Sequence, residues 1–243
     1  MDRRIVLLGL ASTPLAACET FDPTVLDGIV NGTGGLGGAL SAAEVALGLK
    51  AALDNGVGNA LSNVGVQNGF LGNSLVRIPL PKILQDVQSV LSVVGADSLL
   101  VELQTQLNRG AEQAAPVAKD IFLGAVKSLT IPDAFNILRG PDTAATEFLR
   151  TNTTTQLTQL FSPIMENALG QTGALRLVDD VSSQLGSIPF GPNLGASART
   201  DLIDHGVDYG LRGVFHFIGE EEKAIRANPA KRTSEILRRV FTT

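Results

Sequence analysis

From residue 41 onward, apolar residues recur every three or four positions, the spacing of one face of an α-helix. Ser41-x-x-Glu44 is a capping-box pattern, and it opens a helix in which Val45 and Leu49 share a face. Few segments alternate apolar and polar residues as strands do, and the chain has one Tyr and no Trp. The pattern predicts an all-α fold, a single domain of about eight to ten short helices over residues 41–243.

Prolines and capping residues mark where successive helices are expected to begin. Ile78-Pro79-Leu80-Pro81 ends an extended segment and starts a helix, since proline fits the first helical turn. Pro163 lies inside a helical pattern and is expected to kink or split that helix. The predicted helices begin at or near Ser41, Pro81, Asp97, Val117, Ile131, Pro141, Thr154, Ala174, Ala198 and Thr233.

Residues 1–17 have the layout of a lipoprotein signal peptide. Arg3 and Arg4 precede an apolar run, which is shorter than the roughly 20 residues needed to cross a bilayer. Leu15-Ala16-Ala17-Cys18 resembles the bacterial lipobox, in which the cysteine is acylated and becomes the new N-terminus. We therefore predict lipid attachment at Cys18, the one cysteine of the chain. The alternatives are an ordinary signal peptide with a chance cysteine, or a small buried thiol.

Residues 18–40 are expected to form a flexible, Gly-rich tether between the lipidated cysteine and the helical domain. About 20 such residues reach roughly 25 Å. Gly32-x-Gly34-x-x-Gly37 matches the dinucleotide-binding fingerprint, but that motif works between a strand and a helix of a βαβ unit. No later segment has the pattern of a parallel strand. We interpret these glycines as linker and predict no cofactor.

Composition narrows the classes of partner. With 44% hydrophobic and 18% charged residues, the chain is expected to fold rather than to stay disordered. Its net charge of −5 argues against a nucleic-acid surface and against electrostatic binding to anionic lipid. Attachment to a membrane would therefore come from acyl chains on Cys18, and several chains make a firmer anchor than one.

No catalytic constellation is evident in the sequence. His205 and His216 would lie roughly 16 Å apart along a helix, too far to share a metal ion. Asp201 and Asp208 flank His205 and could orient it as a general base, but no matching nucleophile is present, so a surface histidine is the preferred interpretation. We predict no metal site and no enzymatic activity.

Several polar residues lie within predicted helices. The run Glu220-Glu221-Glu222 is interpreted as a solvated helix face that pairs with Lys223 and Arg226 one turn on. Other charged residues must be paired if they are buried. They form either an ion-pair network between helices or a polar ligand site. The candidates are Asn108, Arg109, Glu112, Glu147, Arg150, Glu221 and Arg226.

A set of short strings, in order, carries a resemblance over about Val45 to Phe241. The strings are Ile78-Pro79-Leu80-Pro81, Asn108-Arg109-x-Ala111-Glu112, Pro116-x-Ala118, Ile121-Phe122, Asp133-Ala134, Ala144-Ala145-Thr146 and Glu220-Glu221-Glu222-Lys223-x-Ile225-Arg226-x-Asn228-Pro229. Together they resemble a bacterial family of uncharacterised, often lipoprotein-like proteins, the domain of unknown function 4197. Leu107 stands where the family often has Met, and Gly110 where it usually has alanine. The resemblance supports a helical envelope domain and implies no known activity.

Three functions are compatible with these observations. The leading one is a non-enzymatic envelope lipoprotein that presents a binding or scaffolding domain to the periplasm, with an envelope protein as its partner. Glu19, rather than Asp, follows the cysteine, which favours the outer membrane. The second is a carrier of an apolar ligand such as a lipid or isoprenoid, held in a slot beside Gly206, Gly210 and Gly213. The third is an envelope hydrolase that uses His205 or paired carboxylates.

Overall fold

Helices form nearly all of the regular structure in the computed structural model, which describes residues 41–86, 97–171, 173–187, 195 and 197–228. No strand occurs in these residues, so the predicted all-α class is confirmed. The signal peptide, the tether, Cys18 and the helix predicted from Thr233 lie outside the described residues. The elements are α1 Ala42–Val64, α2 Lys82–Asp86, α3 Asp97–Ala114, a 3₁₀ turn Ala115–Ala118, α4 Lys119–Ser128, α5 Ile131–Arg139, α6 Ala144–Gln171, α7 Ala174–Gly186 and α8 Ala198–Ala227.

Two helices begin with reciprocal capping boxes. The predicted one is confirmed at α1, where the Ser41 hydroxyl accepts from the Glu44 amide and the Ser41 amide donates to the Glu44 carboxylate at 2.7 Å. A second box, which the sequence analysis missed, opens α5, where the Thr130 amide donates to the Asp133 carboxylate at 3.0 Å. Hydrogen bonds from the Thr130 hydroxyl and amide lower the pKa of Asp133. Both boxes satisfy amides that a helix start leaves unpaired.

The predicted division of α6 is wrong. The two helices expected from Pro141 and Thr154 are one continuous helix of 28 residues that passes through Pro163. An interior proline removes one backbone hydrogen bond and costs about 3 kcal/mol. Phe161 and Met165, on either side of it, are both fully buried, and burial of two such side chains offsets that cost at about 1.5–3 kcal/mol each.

Helix α8 packs chiefly against α1 and α6, and α6 packs in turn against α3. Helices α6 and α8 run antiparallel, because Thr146 lies beside Gly219 while Met165 lies beside Gly206. One continuous apolar cluster joins these four helices. Among the described residues, no single helix is both long and apolar enough to cross a bilayer. The segments Leu100–Ser128 and Ile131–Arg139 reach the length and hydropathy of a membrane span only when they are taken together, and the chain bends by 102° between them.

The segment 65–81 connects α1 to α2 without regular structure and completes the core. It inserts Phe70 and Ile78, both fully buried. The Phe70 ring lies directly against the backbone of Gly213 on α8, so a Cβ at this position would collide with the ring. The glycine is required here for close approach rather than for an unusual backbone angle.

We expect Gly213→Ala to lower the free energy of unfolding by about 1–3 kcal/mol, since the added methyl overpacks a buried ring. Gly58→Ala is the matched control, because nothing lies within 4 Å of a Cβ at that helical position. It should be neutral or stabilising by up to about 1 kcal/mol. Urea unfolding followed by circular dichroism measures both, and equal midpoints for the two variants would contradict the packing argument.

Candidate functional site

The first buried polar cluster joins α3 to the segment 65–81. Asn108 is 0% exposed. Its side-chain oxygen accepts from the Ile78 amide at 2.8 Å, and its side-chain nitrogen donates to the carbonyls of Ile78 at 3.0 Å and Gln104 at 2.7 Å. Because Pro79 disfavours helical geometry at Ile78, the backbone groups of Ile78 need partners outside a helix. Asn108 supplies both partners, as an adjacent strand would.

Glu112 holds the preceding turn of the same segment. One carboxylate oxygen accepts from the amides of Phe70 at 3.2 Å and Leu71 at 3.1 Å. The other accepts from Arg109 at 2.6 Å, and Arg109 also donates to the Asn68 side chain at 2.9 Å. Asn68 has φ of 69°, a left-handed conformation that asparagine tolerates better than most residues. We call Asn108, Arg109 and Glu112, with the backbone they bind, the loop joint.

His205 contacts the same segment from α8. Its Nε2 lies 2.7 Å from the carbonyl oxygen of Pro79, so Nε2 carries the hydrogen and donates it. The flanking carboxylates pair elsewhere, Asp201 with the Ser197 hydroxyl and Asp208 with Arg212, both at 2.7 Å. The interpretation as a surface histidine is therefore wrong, because His205 is half-buried and connects α8 to the proline-rich string.

The second buried cluster lies at the other end of α8. Glu222 is only 7% exposed. Its two oxygens accept from the amides of Ala145 at 3.0 Å and Thr146 at 2.8 Å, and from the Thr146 hydroxyl at 2.8 Å. These amides belong to the first turn of α6, where unpaired N–H groups and the helix dipole favour a negative charge. Glu222 thus caps α6 from a different helix.

Arg226 completes this cluster. Its guanidinium donates to Glu222 at 2.8 Å and to the carbonyl of Ile137, in the last turn of α5, also at 2.8 Å. We call Glu222 and Arg226, with the two helix ends they bind, the helix-end joint. The solvated-face interpretation is wrong for Glu222. It holds for Glu220, whose exposed ion pair with Lys223 lowers the pKa of Glu220 and raises the pKa of Lys223.

The other predicted site residues do not converge on either joint. Glu147 and Arg150 are about half exposed, and their charged groups are 3.8 Å apart. The guanidinium of Arg150 lies over the Phe215 ring, 5.1 Å from its centroid. Glu221 is half-buried beside Gly56 of α1. The predicted set therefore divides between two structural joints and the surface, rather than lining one ligand pocket.

The slot expected beside the α8 glycines is filled by the protein itself. The sulfur of Met165 would lie 3.1 Å from a Cβ at Gly206, and the Phe161 ring 3.7 Å from one at Gly210, while Phe70 covers Gly213. Among the described residues, every buried side-chain nitrogen and oxygen has a hydrogen-bond partner, and no group of His, Cys, Asp or Glu could hold a metal ion. The polar interior is therefore built for packing and capping.

The family described as "Protein of unknown function (DUF4197)" matches residues 39–242. The chain belongs to this family. No curated protein and no solved structure matches the chain significantly. Four of the seven strings that suggested DUF4197 from the sequence contribute to the joints. Residues of the strings at Ile78 and Asn108 meet in the loop joint, and residues of the strings at Ala144 and Glu220 meet in the helix-end joint.

We expect Asn108→Asp to destabilise this DUF4197 domain by about 3 kcal/mol. A carboxylate cannot donate to the Ile78 and Gln104 carbonyls, and it places a buried negative charge against these two carbonyl oxygens. Asn167→Asp, on the exposed side of α6, should change the free energy of unfolding by less than about 0.5 kcal/mol. Hydrogen exchange at the Ile78 amide should speed up in the first variant only. An unchanged exchange rate would show that Asn108 does not hold the loop.

We expect Glu222→Ala to cost about 3–5 kcal/mol, because it uncaps α6 and leaves Arg226 buried without its carboxylate. Glu166→Ala removes an exposed glutamate from the same α6 and is the control, expected within about 0.5 kcal/mol of the parent. The urea unfolding midpoints of the two variants and the parent measure these losses of stability. A Glu222→Ala loss no larger than the control would mean that the helix-end joint contributes no net stability.

Proposed function

We propose that this DUF4197 protein is a lipid-anchored protein of the bacterial envelope that presents its helical domain to the periplasm as a non-enzymatic binding or scaffolding module. The observation that carries the proposal is the string Leu15-Ala16-Ala17-Cys18, with a basic start and an apolar run before it. Acylation explains why a chain without any other thiol has one there. Glu19 after the cysteine favours the outer membrane.

The binding role is supported by where polar and apolar groups lie. In the part of the chain that the structure describes, the buried carboxylates and side-chain amide all form hydrogen bonds within the two joints. Side chains of the protein itself fill the space beside the α8 glycines. Some large apolar side chains nevertheless stay exposed, among them Leu75 at 74% and Val101 at 64%. Val101 also lines a surface groove of about 290 Å³ with Pro79, Leu80 and Gln104, and clefts lined by apolar side chains with a few polar groups are typical of binding sites.

The non-enzymatic part of the proposal is supported by the dispersal of the groups that could do acid–base chemistry. His205 donates to a backbone carbonyl, and Asp201 and Asp208 each pair locally. General acid–base catalysis requires such groups to lie within hydrogen-bond reach of one substrate atom. Each of these three side chains instead bonds a different partner within the protein.

We expect Cys18→Ala to move the protein from the membrane fraction to the soluble fraction and to abolish incorporation of radiolabelled palmitate. Acyl chains supply about 0.8 kcal/mol of membrane affinity per buried methylene, and no electrostatic attraction replaces them in an acidic chain. Thr20→Ala is the control and should remain labelled and membrane-bound. A Cys18→Ala protein that stays with the membrane would overturn the anchor.

A further inference from the structure

A groove of about 450 Å³ follows the seam between α6 and α8 on the outside of the domain. Its α6 wall is formed by Arg150, Thr154 and Thr158, which recur every fourth residue and so lie on one side of the helix. All three are exposed. This wall carries one positive charge at its beginning and only hydroxyls after it.

The α8 wall carries charge of both signs. Asp204, Asp208 and Arg212 also recur every fourth residue along the groove. Because the two helices are antiparallel, Arg150 lies near the Arg212 end and Thr158 lies near the Asp204 end. Two aspartates therefore lie toward one end of the groove and two arginines toward the other, and Asp208 and Arg212 pair at 2.7 Å where the two halves meet.

The floor of the groove is apolar. Val207, Leu211 and Phe215 form it, and each is buried, with exposed fractions of 3%, 6% and 3%. Arg150 covers the Phe215 ring, and its guanidinium also lies 3.8 Å from the exposed carboxylate of Glu147. A ligand in this groove meets an apolar base, hydroxyls in the middle and opposite charges at its two ends.

The length of the groove limits what it fits. From Asp204 to Phe215 the α8 axis rises about 16 Å. An extended peptide advances about 3.3 Å per residue, so four or five residues span that distance. A free amino acid is too short, because its ammonium and carboxylate groups share one carbon atom.

We infer that the groove between α6 and α8 binds a short extended peptide of four or five residues, with its free amino end at Asp204 and Asp208 and its free carboxylate at Arg150 and Arg212. Arginine binds a carboxylate through two parallel hydrogen bonds. The existing Asp208–Arg212 pair is solvent-exposed and worth little, so exchanging it for ligand contacts costs little. Between the two ends, the Thr154 hydroxyl, which donates to the Arg150 carbonyl at 2.6 Å, can accept from a peptide amide, and the Thr158 hydroxyl offers a second polar contact.

This inference deepens the proposed binding role, since it names the chemistry of the partner, and it is tested apart from the lipid anchor. The test is isothermal titration calorimetry of the full chain, purified in a nonionic detergent, with tetraalanine whose two ends are free. We expect blocking either end, by N-acetylation or C-amidation, to weaken binding about tenfold. Blocking both should abolish it.

Variants assign each end of the peptide to its half of the groove. Arg150→Gln should weaken tetraalanine about tenfold but leave the affinity for the C-amidated peptide unchanged, and Asp204→Asn should do the same toward the N-acetylated peptide. Arg176→Gln and Asp180→Asn, exposed on α7, are the matched controls and should leave every affinity unchanged.

Two results would overturn the inference. One is an absence of binding heat at about 10 mM of the free-ended peptide, which places any Kd in or above the millimolar range. The other is equal binding of the free and doubly blocked peptides, which would show that the charged halves are not used. Failure of Cys18→Ala to release the protein would refute the lipid anchor but not the peptide site. The two experiments change different residues and measure different properties, membrane association and peptide affinity.

Discussion

The carboxylate of Glu222 is the contact on which the arrangement of the helices depends most. It joins three chain segments, because it caps the start of α6, pairs with Arg226, and through Arg226 reaches the end of α5. A carboxylate in this environment costs several kcal/mol in lost hydration, which the hydrogen bonds must return. A docking of α8 on α6 in another register would separate that carboxylate from these donors. The glutamate therefore selects one packing among the many that apolar surfaces alone would allow.

In the loop joint, buried polar side chains again bond backbone groups, but here the backbone belongs to an irregular segment rather than to a helix end. A loop that enters a core brings unpaired amides and carbonyls with it, and these groups need partners once water is excluded. Asn108 and Glu112 provide those partners from a single helix, and His205 adds one from α8. In this way the irregular segment 65–81 can insert Phe70 and Ile78 into the apolar cluster without leaving buried polar groups unsatisfied.

The sequence was sufficient for what depends on local pattern. The helical class, the N-cap of α1 at Ser41 and the starts of α7 and α8 follow from periodicity, caps and prolines. It also singled out Asn108, Arg109, Glu112 and Arg226 as embedded polar residues. It misplaced Glu222, because a run of three glutamates has the pattern of a solvated face and the amides that bury one of them lie 76 residues away. It predicted a kink or split at Pro163 because a proline is a local signal, whereas the burial of Phe161 and Met165 that keeps the helix continuous there is a tertiary effect.

The packing of α1 against α8 has a consequence for how the domain is made. These two helices stand at opposite ends of the described chain, and each covers the apolar face of the other. Contacts between residues so distant in sequence form slowly, and they cannot form during synthesis until α8 has left the ribosome. Until α8 is made, α4, α5 and the 3₁₀ turn can cover only part of the buried face of α1. A domain whose core is completed only by α8 therefore remains incompletely folded, with the α1 face partly exposed, until nearly all of the described chain has been made.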